Sequence, residues 1–509
     1  MHVEQYRPVI LTFESEHSYA NPFLDVSINA SFTYEDKTII REAYWDGGNI
    51  YRISFAPTEV GTWDYVLSAP SETGLNGIYG TVECVPYTGD LELYKHGFVK
   101  VMNEHHLCYA DGTPFFWLGD THWEFAYRED YDDMFRYMVD KRFEQGYTVY
   151  QTNLRSDAMM GGDKLYWDGD VPNISFYQNE LDRRFAYVAD KGIVNALGLC
   201  WFMSVNNNIP HIRNLARYII ARYGAYPLIY TLAGEVGGYD LKAQPALLEQ
   251  WKEVADYMYE MDGYPHLHTV HYTNERPFPE YFQDEPWMDF TLNQGGHGDF
   301  VISPNDYRSF LAKHGDKPFV EGEAMYEFCS TLEENGPRMC TPDMVRRVAY
   351  MTIQLGGCGY TYGAQGIWDC IKDKEHFTER NMVFNRYHVT WYEAIEGEAG
   401  KQMGYMKDFY LDNDYTSMLP YVNEADTNLL GRNAPFVSLN EDHTKLIAYY
   451  VQTARKNVTV ELPDGDYVLT WFNPREGTYS KETTINISEP YTLPKKPDEF
   501  DWALVLKKC

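Results

Sequence analysis

Between about residues 108 and 400, short apolar runs alternate with stretches of helical periodicity, and no other feature of the chain limits its fold as tightly. The runs are Phe115–Asp120, Gly146–Asn153, Ile193–Met203, Leu228–Leu232, His266–His271, Met288–Leu292, Lys317–Gly322 and Gly357–Tyr362. Most are separated by segments long enough for a crossover helix, as parallel strands require. After the first run, Met134, Phe135, Met138, Val139 and Phe143 share one helical stripe. Ser303-Pro304 and Thr341-Pro342 each offer a hydroxyl N-cap followed by proline at the first helical position, and Gly315 stops the helix begun by the first pair. Eight such units fit a closed TIM (β/α)8 barrel or an open doubly wound sheet. No glycine-rich dinucleotide fingerprint follows the first strand, so the barrel is the expected fold.

The barrel is flanked by two regions of a different period. Residues 1–90 carry short alternating runs, such as Val26–Tyr34 and Ile50–Phe55, cut by the turns Asp46-Gly47-Gly48-Asn49 and Pro57–Gly61. Residues 411–509 return to that pattern, with Leu446–Val451, Val458–Leu462, Tyr467–Trp471 and Trp502–Leu506 separated by turns at Pro463–Asp466 and Asn473–Gly477. The expected organisation of the α/β chain is an N-terminal β-sandwich over 1–90, a barrel over 91–410 and a C-terminal β-sandwich over 411–509.

A net charge of −32, spread along the 509 residues, opposes binding to nucleic acid or to anionic membranes. The 44 tyrosines and 12 tryptophans supply flat apolar faces with a polar edge, which suits stacking on sugar rings as well as packing in β-rich cores. No run reaches the length of a membrane span, and Met1–Arg7 lacks the basic start and apolar run of a signal peptide. The eight cysteines form no CxxC pair and are too sparse for a disulfide scaffold. A cytoplasmic protein with free thiols is expected, with no cofactor and with homo-oligomerisation left open.

Glycosidic bond cleavage takes two carboxyl groups, one to protonate the leaving oxygen and one to attack or to activate water. In a barrel they belong at the C-terminal ends of strands. Glu235 closes the fourth run and Glu323 the seventh, each directly after a glycine, and these two ends lie nearly opposite each other across a barrel mouth. Glu321 competes with Glu323: two residues apart on extended chain, the two acids point the same way. Glu327 reads as an ion-pairing residue.

Three segments carry a more specific signal: Phe115 through Glu124, the Gly234-Glu235 strand end, and Lys317 through Glu327. In this order and at barrel spacing they resemble the apiosidase-like barrel glycoside hydrolases. The flanking regions resemble the modules that accompany them; Trp45-Asp46-Gly47, Phe55-Ala56-Pro57 and Gly61–Tyr65 are similar to an N-terminal module common in bacterial glycosidases. The resemblance covers nearly the whole chain. It implies Glu235 as acid/base and Glu323 as nucleophile, with Asp120 and Trp123 in the substrate pocket. Where that family usually has Gly-Gly-Asp, this chain has Ala233-Gly234-Glu235, and the extra methylene carries the carboxyl outward.

Other residues at or just past strand ends are candidates for substrate contact: Asn153, Arg155, Trp201, His271, Asn293, Gln294, Tyr362, Gln365 and Trp368, with His297 on a glycine-rich loop. Asn153 and Arg155 are also read as braces of the barrel rim. His266-Leu267-His268 has the alternate spacing of a metal-binding barrel strand, but His271 falls on the opposite face and no complementary pair follows, so no metal is expected. No Gly-x-Ser-x-Gly elbow occurs. The sequence therefore predicts an exo-acting, retaining glycosidase acting on an oligosaccharide or glycoside, against the alternatives of a metal-dependent barrel hydrolase and an inactive carbohydrate-binding protein.

Overall fold

The computed structural model describes residues 1–509 except 127–129, 155–162, 203–207, 238–244, 274–279, 298–303, 332–337, 376–384, 422–432 and 489. Seven parallel strands form its central sheet: Trp117–Thr121, Val149–Asn153, Val194–Trp201, Leu228–Gly234, Thr291–Gln294, Phe319–Glu323 and Gly359–Tyr362. The first strand pairs with both the second and the last, so the sheet curls into a ring. The gap left between Leu228–Gly234 and Thr291–Gln294 is filled by residues 268–272. There Tyr230 bridges His268, Val236 bridges Tyr272, and His271 bridges Leu292, all in parallel. This stretch occupies the fifth place in the barrel through isolated bridges, and the sixth strand begins at Thr291, three residues later than the apolar run Met288–Leu292 suggests.

Inside the ring, Trp117, Val149, Ile229, Phe290 and Val320 join one apolar cluster. Above them lies a polar layer. Trp117 Nε1 donates to Thr361 Oγ1 (2.9 Å), Thr361 Oγ1 donates to Gln151 Oε1 (3.0 Å), and Gln151 Nε2 donates to the Gly322 carbonyl (2.8 Å). Buried polar groups are tolerable when bonded in this way, and the layer ties strands one, two, seven and eight together.

The helices follow the sequence periodicity with local departures. Asp130 caps the first one through the amides of Asp132 and Asp133, and the chain makes a wide π turn over Tyr131–Phe135 before the regular helix Arg136–Glu144. Pro342 does open the helix Pro342–Gln354, but the Thr341 hydroxyl donates to Asp343 instead of accepting an amide, so it is not the N-cap acceptor expected. The helix Pro304–His314 ends at Gly315 as expected; Ser303 lies outside the described residues.

Before the barrel, a five-stranded and a three-stranded sheet face each other, with Phe32 and Phe55 stacked between them at 3.8 Å. After it come a larger antiparallel sheet, built on the strands Lys445–Tyr450, Gly465–Asn473 and Trp502–Lys508, and a two-stranded one. Both flanks are tied to the barrel by buried arginines. Arg41 donates to the Ile220 carbonyl (2.6 Å), near the C-terminal end of the helix Ile209–Tyr223 where free carbonyls and the helix dipole favour a cation. On the other side Arg346 donates to both carboxylate oxygens of Asp501 (2.7 and 2.8 Å) and to Gln402 (2.6 Å). Removing one partner of such a pair leaves the other charge buried without compensation. Asp501→Asn is therefore expected to cost about 3–5 kcal/mol of stability, read from the denaturation midpoint. A loss under about 1 kcal/mol would mean that the pair contributes no more than a surface one.

Candidate active site

Glu235 and Glu323 follow or end the fourth and seventh barrel strands, each after a glycine that brings the backbone close to its neighbours. A Cβ on Gly322 would run into the Leu292 side chain, and one on Gly234 would overlap the Asn153 amide and lie 2.6 Å from the Trp201 ring. The fourth strand does not run out regularly. Its pairing with the third slips around Gly198, and both Leu232 and Glu235 have a φ of 55°. A left-handed conformation costs an L-residue roughly 1–2 kcal/mol, and such strain persists where the surrounding structure holds it. Gly234→Ala is expected to lower stability by about 1–3 kcal/mol through overpacking, and to lose less in an Asn153→Ala background, where the amide that the new Cβ would overlap is gone. Equal losses in both backgrounds would show that the Trp201 ring alone is in the way.

The two acids sit in different electrostatic surroundings. Solvent reaches Glu235, yet packed protein around it desolvates the carboxyl, and the charge of Glu323 adds to this; its pKa is raised. Gln294 Nε2 donates to Glu235 Oε1 at 3.3 Å. Glu323 is only 4 % exposed, and burial by itself would raise its pKa. His271 and His297 outweigh that effect and hold the carboxyl well below the usual range. His297 Nε2 lies 3.1 Å from Oε1, while His271 Nε2 lies 3.3 Å from Oε2 without closing a hydrogen bond to it.

His271 also touches Glu235: its Nδ1 accepts the Glu235 backbone N–H at 3.3 Å. That bond fixes the neutral tautomer with the proton on Nε2, facing Glu323. The remaining histidines of this segment turn away. His266 and His268 approach Asp262, at 2.9 and 3.5 Å, and the His266 ring packs on Phe98 and Tyr264 next to the N-terminal sheets. The three rings do not converge on one point, and no group of three or more candidate metal ligands occurs among the described residues.

Glu321 and Glu323 do not share partners, although alternation along a strand would place them on the same face. The register between the sixth and seventh strands shifts at this point, so that Asn293 pairs with Glu321 and Gln294 with Glu323. Glu321 accepts from the Gly295 amide (2.6 Å) and from Asn293 Nδ2 (3.1 Å), which commits Asn293 to bracing the rim as well. Glu327 accepts from Tyr362 (2.6 Å) and from the Ala399 amide (3.2 Å) in the first turn of the helix Glu398–Asp412, where a helix end favours an anion. The expected ion pair is therefore a helix-end contact, and it takes up the Tyr362 hydroxyl. Asp120 is fully buried and bonds Arg142 (2.5 Å) and His122 (2.9 Å).

An aromatic wall surrounds the two acids. Trp123 meets Trp201 and His271 edge to face, at 5.3 and 5.1 Å, and donates its indole N–H to Tyr326. The Tyr326 ring lies 4.4 Å from His297 and 6.4 Å from Trp368. Tyr326 was not singled out as a contact residue by the sequence, since nothing in strand periodicity reveals that a loop tyrosine folds back over the preceding strand end. Among the described residues near this wall, the Asn153 amide, Gln365 Oε1 and Trp368 Nε1 make no hydrogen bond. Gln365 instead uses its amide N–H on Asp369, whose carboxyl is pushed up to about 7 by burial. Arg155 lies outside the described residues.

The model of the family described as "Apiosidase-like, catalytic domain" matches residues 101–417, and a domain of unknown function, DUF5060, matches residues 2–70. Among solved structures, a glycoside-hydrolase candidate from Bacteroides vulgatus ATCC 8482 aligns at 19 % identity and a TM-score of 0.75, covering 100 % of both chains. A glycoside hydrolase family 5 structure from the same strain aligns at 21 % identity and a TM-score of 0.65, covering 82 % of this chain and 94 % of its own. At these identities the structural matches establish the fold. No curated protein matches the chain. The chain belongs to the apiosidase-like family, and its barrel is a glycosidase catalytic domain.

Proposed function

We propose that the protein is an exo-acting, retaining glycosidase in which Glu235 protonates the glycosidic oxygen and Glu323 attacks the anomeric carbon. The observation that carries this reading is the contrast in surroundings of the two carboxyls. Glu235 is desolvated near a second acid, which favours its protonated form, while Glu323 lies within 3.1 and 3.3 Å of His297 and His271, which favour its ionised form. An acid catalyst needs its proton at working pH and a nucleophile must have lost its own. Glu323 Oε2 makes no closed hydrogen bond, with His271 Nε2 3.3 Å away. Glu321, the competing acid, has both oxygens occupied by Gly295 and Asn293.

Asn153, Gln365 and Trp368 offer unpaired polar atoms to sugar hydroxyls, and Trp123, Trp201 and Tyr326 offer ring faces and edges. A nucleophile this deeply enclosed suits the end of a sugar chain better than its middle, which supports exo action. The divergence of His266 and His268 from His271 disfavours the metal-dependent reading. A cytoplasmic setting is supported by the eight free cysteines, seven of them buried. No helix among the described residues is long and apolar enough to cross a membrane.

The test is a panel of aryl glycosides, with the stereochemistry of the first-formed sugar followed by NMR. Turnover with retention is expected. Release of the inverted anomer would replace nucleophilic attack by base-activated water, and sugar binding with no turnover would favour an inactive carbohydrate-binding protein.

A further inference from the structure

His297 stands on the loop after the sixth strand, and its surroundings restrict where its protons are. Nδ1 lies 2.9 Å from the Ala324 carbonyl, which can only accept, so Nδ1 carries a hydrogen. Nε2 lies 3.1 Å from Glu323 Oε1. If the ring were neutral, Nε2 would turn a lone pair toward a carboxylate oxygen. The contact is attractive only with a proton between the two atoms, resting either on the imidazole or on the carboxyl. His271 decides which. Its Nδ1 is committed to the Glu235 amide, so its own N–H faces the second oxygen of Glu323 and favours the ionised carboxylate. Of the described titratable groups near His297, Glu235 acts in the same sense when ionised and Tyr326 is neutral. Glu235 adds negative charge from the end of the fourth strand only once it ionises, and the phenol of Tyr326, whose ring packs on His297 at 4.4 Å, stays protonated because burial raises its pKa.

We propose that His297 is a positioning residue that stands as an imidazolium beside the ionised Glu323 at neutral pH, and that loss of its proton, together with that of Glu235, closes the active form of the enzyme at high pH. The inference rests on Glu323 being the nucleophile only for its effect on rate; the ion pair itself stands on the geometry. Once His297 is deprotonated, the lone pair at Nε2 repels the carboxylate it had oriented. Burial works against the charged ring, while Glu323 works for it, and the balance raises the pKa of His297 above that of a free histidine. This is what allows the pair to persist at neutral pH.

The pair can be read without any substrate. The full-length protein, labelled with 15N-histidine, would be followed by long-range 1H–15N NMR from about pH 5 to about pH 9, the usual window for histidine titration. The His297 signals are assigned by their absence in His297→Gln, or in His297→Asn should the first variant fail to fold. Both ring nitrogens of His297 are expected to be protonated at neutral pH, and its midpoint to fall by about one unit or more in Glu323→Gln, where the facing charge is gone. A neutral His297 ring in the wild type, or a midpoint that does not move in Glu323→Gln, overturns the proposal.

The kinetic arm uses an aryl glycoside turned over by the wild type. In His297→Gln the alkaline limb of log kcat/KM is expected to flatten from a slope of about −2 to about −1, since one of two ionisations is lost. Its acid limb is expected to move to higher pH as Glu323 loses a neighbouring cation. A uniform drop in rate with an unchanged profile would reduce His297 to a packing residue. Full activity of Glu323→Gln, by contrast, would remove the catalytic reading and leave the ion pair standing.

Discussion

Replacing Glu323 with glutamine is expected to lower kcat/KM on an aryl glycoside by about 10^4-fold or more, the scale seen when a residue that forms the covalent intermediate is removed. The amide is nearly isosteric, so the fold should persist and the loss should be chemical. The pH dependence follows from the same group. Under the proposed assignment catalysis requires an ionised Glu323, whose pKa is held below the usual carboxylate range by His271 and His297. The rate therefore rises with pH through that low value, and the acid limb of the profile lies below the ordinary glutamate range near about 4.3. Glu321→Gln is the control. Its oxygens brace Gly295 and Asn293, so its replacement should show first as lost stability. Retained activity in Glu323→Gln together with lost activity in Glu321→Gln would reverse the assignment.

Glu235→Gln is expected to cost roughly 10^2- to 10^4-fold, the usual contribution of a general acid. Here the size of the loss depends on the substrate. An aryl glycoside with an acidic leaving phenol needs little protonation in the first step, and a poor leaving group needs it fully. The defect should therefore grow as the leaving group becomes less acidic. The sign of the pH effect is opposite to that of Glu323. As the proposed acid, Glu235 has to be protonated; desolvation raises its pKa and the charge of Glu323 raises it further, so the wild-type rate is expected to fall as pH rises through that raised value. Removing the carboxyl deletes this ionisation from the alkaline limb. A loss independent of leaving group, or an unchanged alkaline limb, would place the proton donor elsewhere.

Much of this architecture was legible from local pattern. Strand alternation with helices gave the barrel because parallel strands buried on both sides have a continuous apolar signature. The fifth strand and the start of the sixth were placed less well. His266–His271 makes only scattered bridges and Met288–Leu292 overlaps a turn, and an apolar run reports burial rather than hydrogen bonding. At the site, Gly234-Glu235 and Gly322-Glu323 were found from strand ends and close backbone approach. The partners of those acids were not. The family resemblance implies Asp120 in the pocket and a strand end makes Tyr362 a candidate; each is bonded to a buried charge from another element.

The sequence by itself determined the barrel, the flanking sheets and the pair of strand-end acids, since all three follow from interactions between residues near one another in the chain. Only the tertiary structure decided which acid of the seventh strand faces the fourth. The register shift between Asn293 and Gln294 gives Glu321 and Glu323 different partners, and pairing register is a property of two strands, written in neither alone. The same holds for charge. A glutamate becomes an acid or a nucleophile through what desolvates and faces it, and for Glu323 that is His271 and His297, brought from two other parts of the ring.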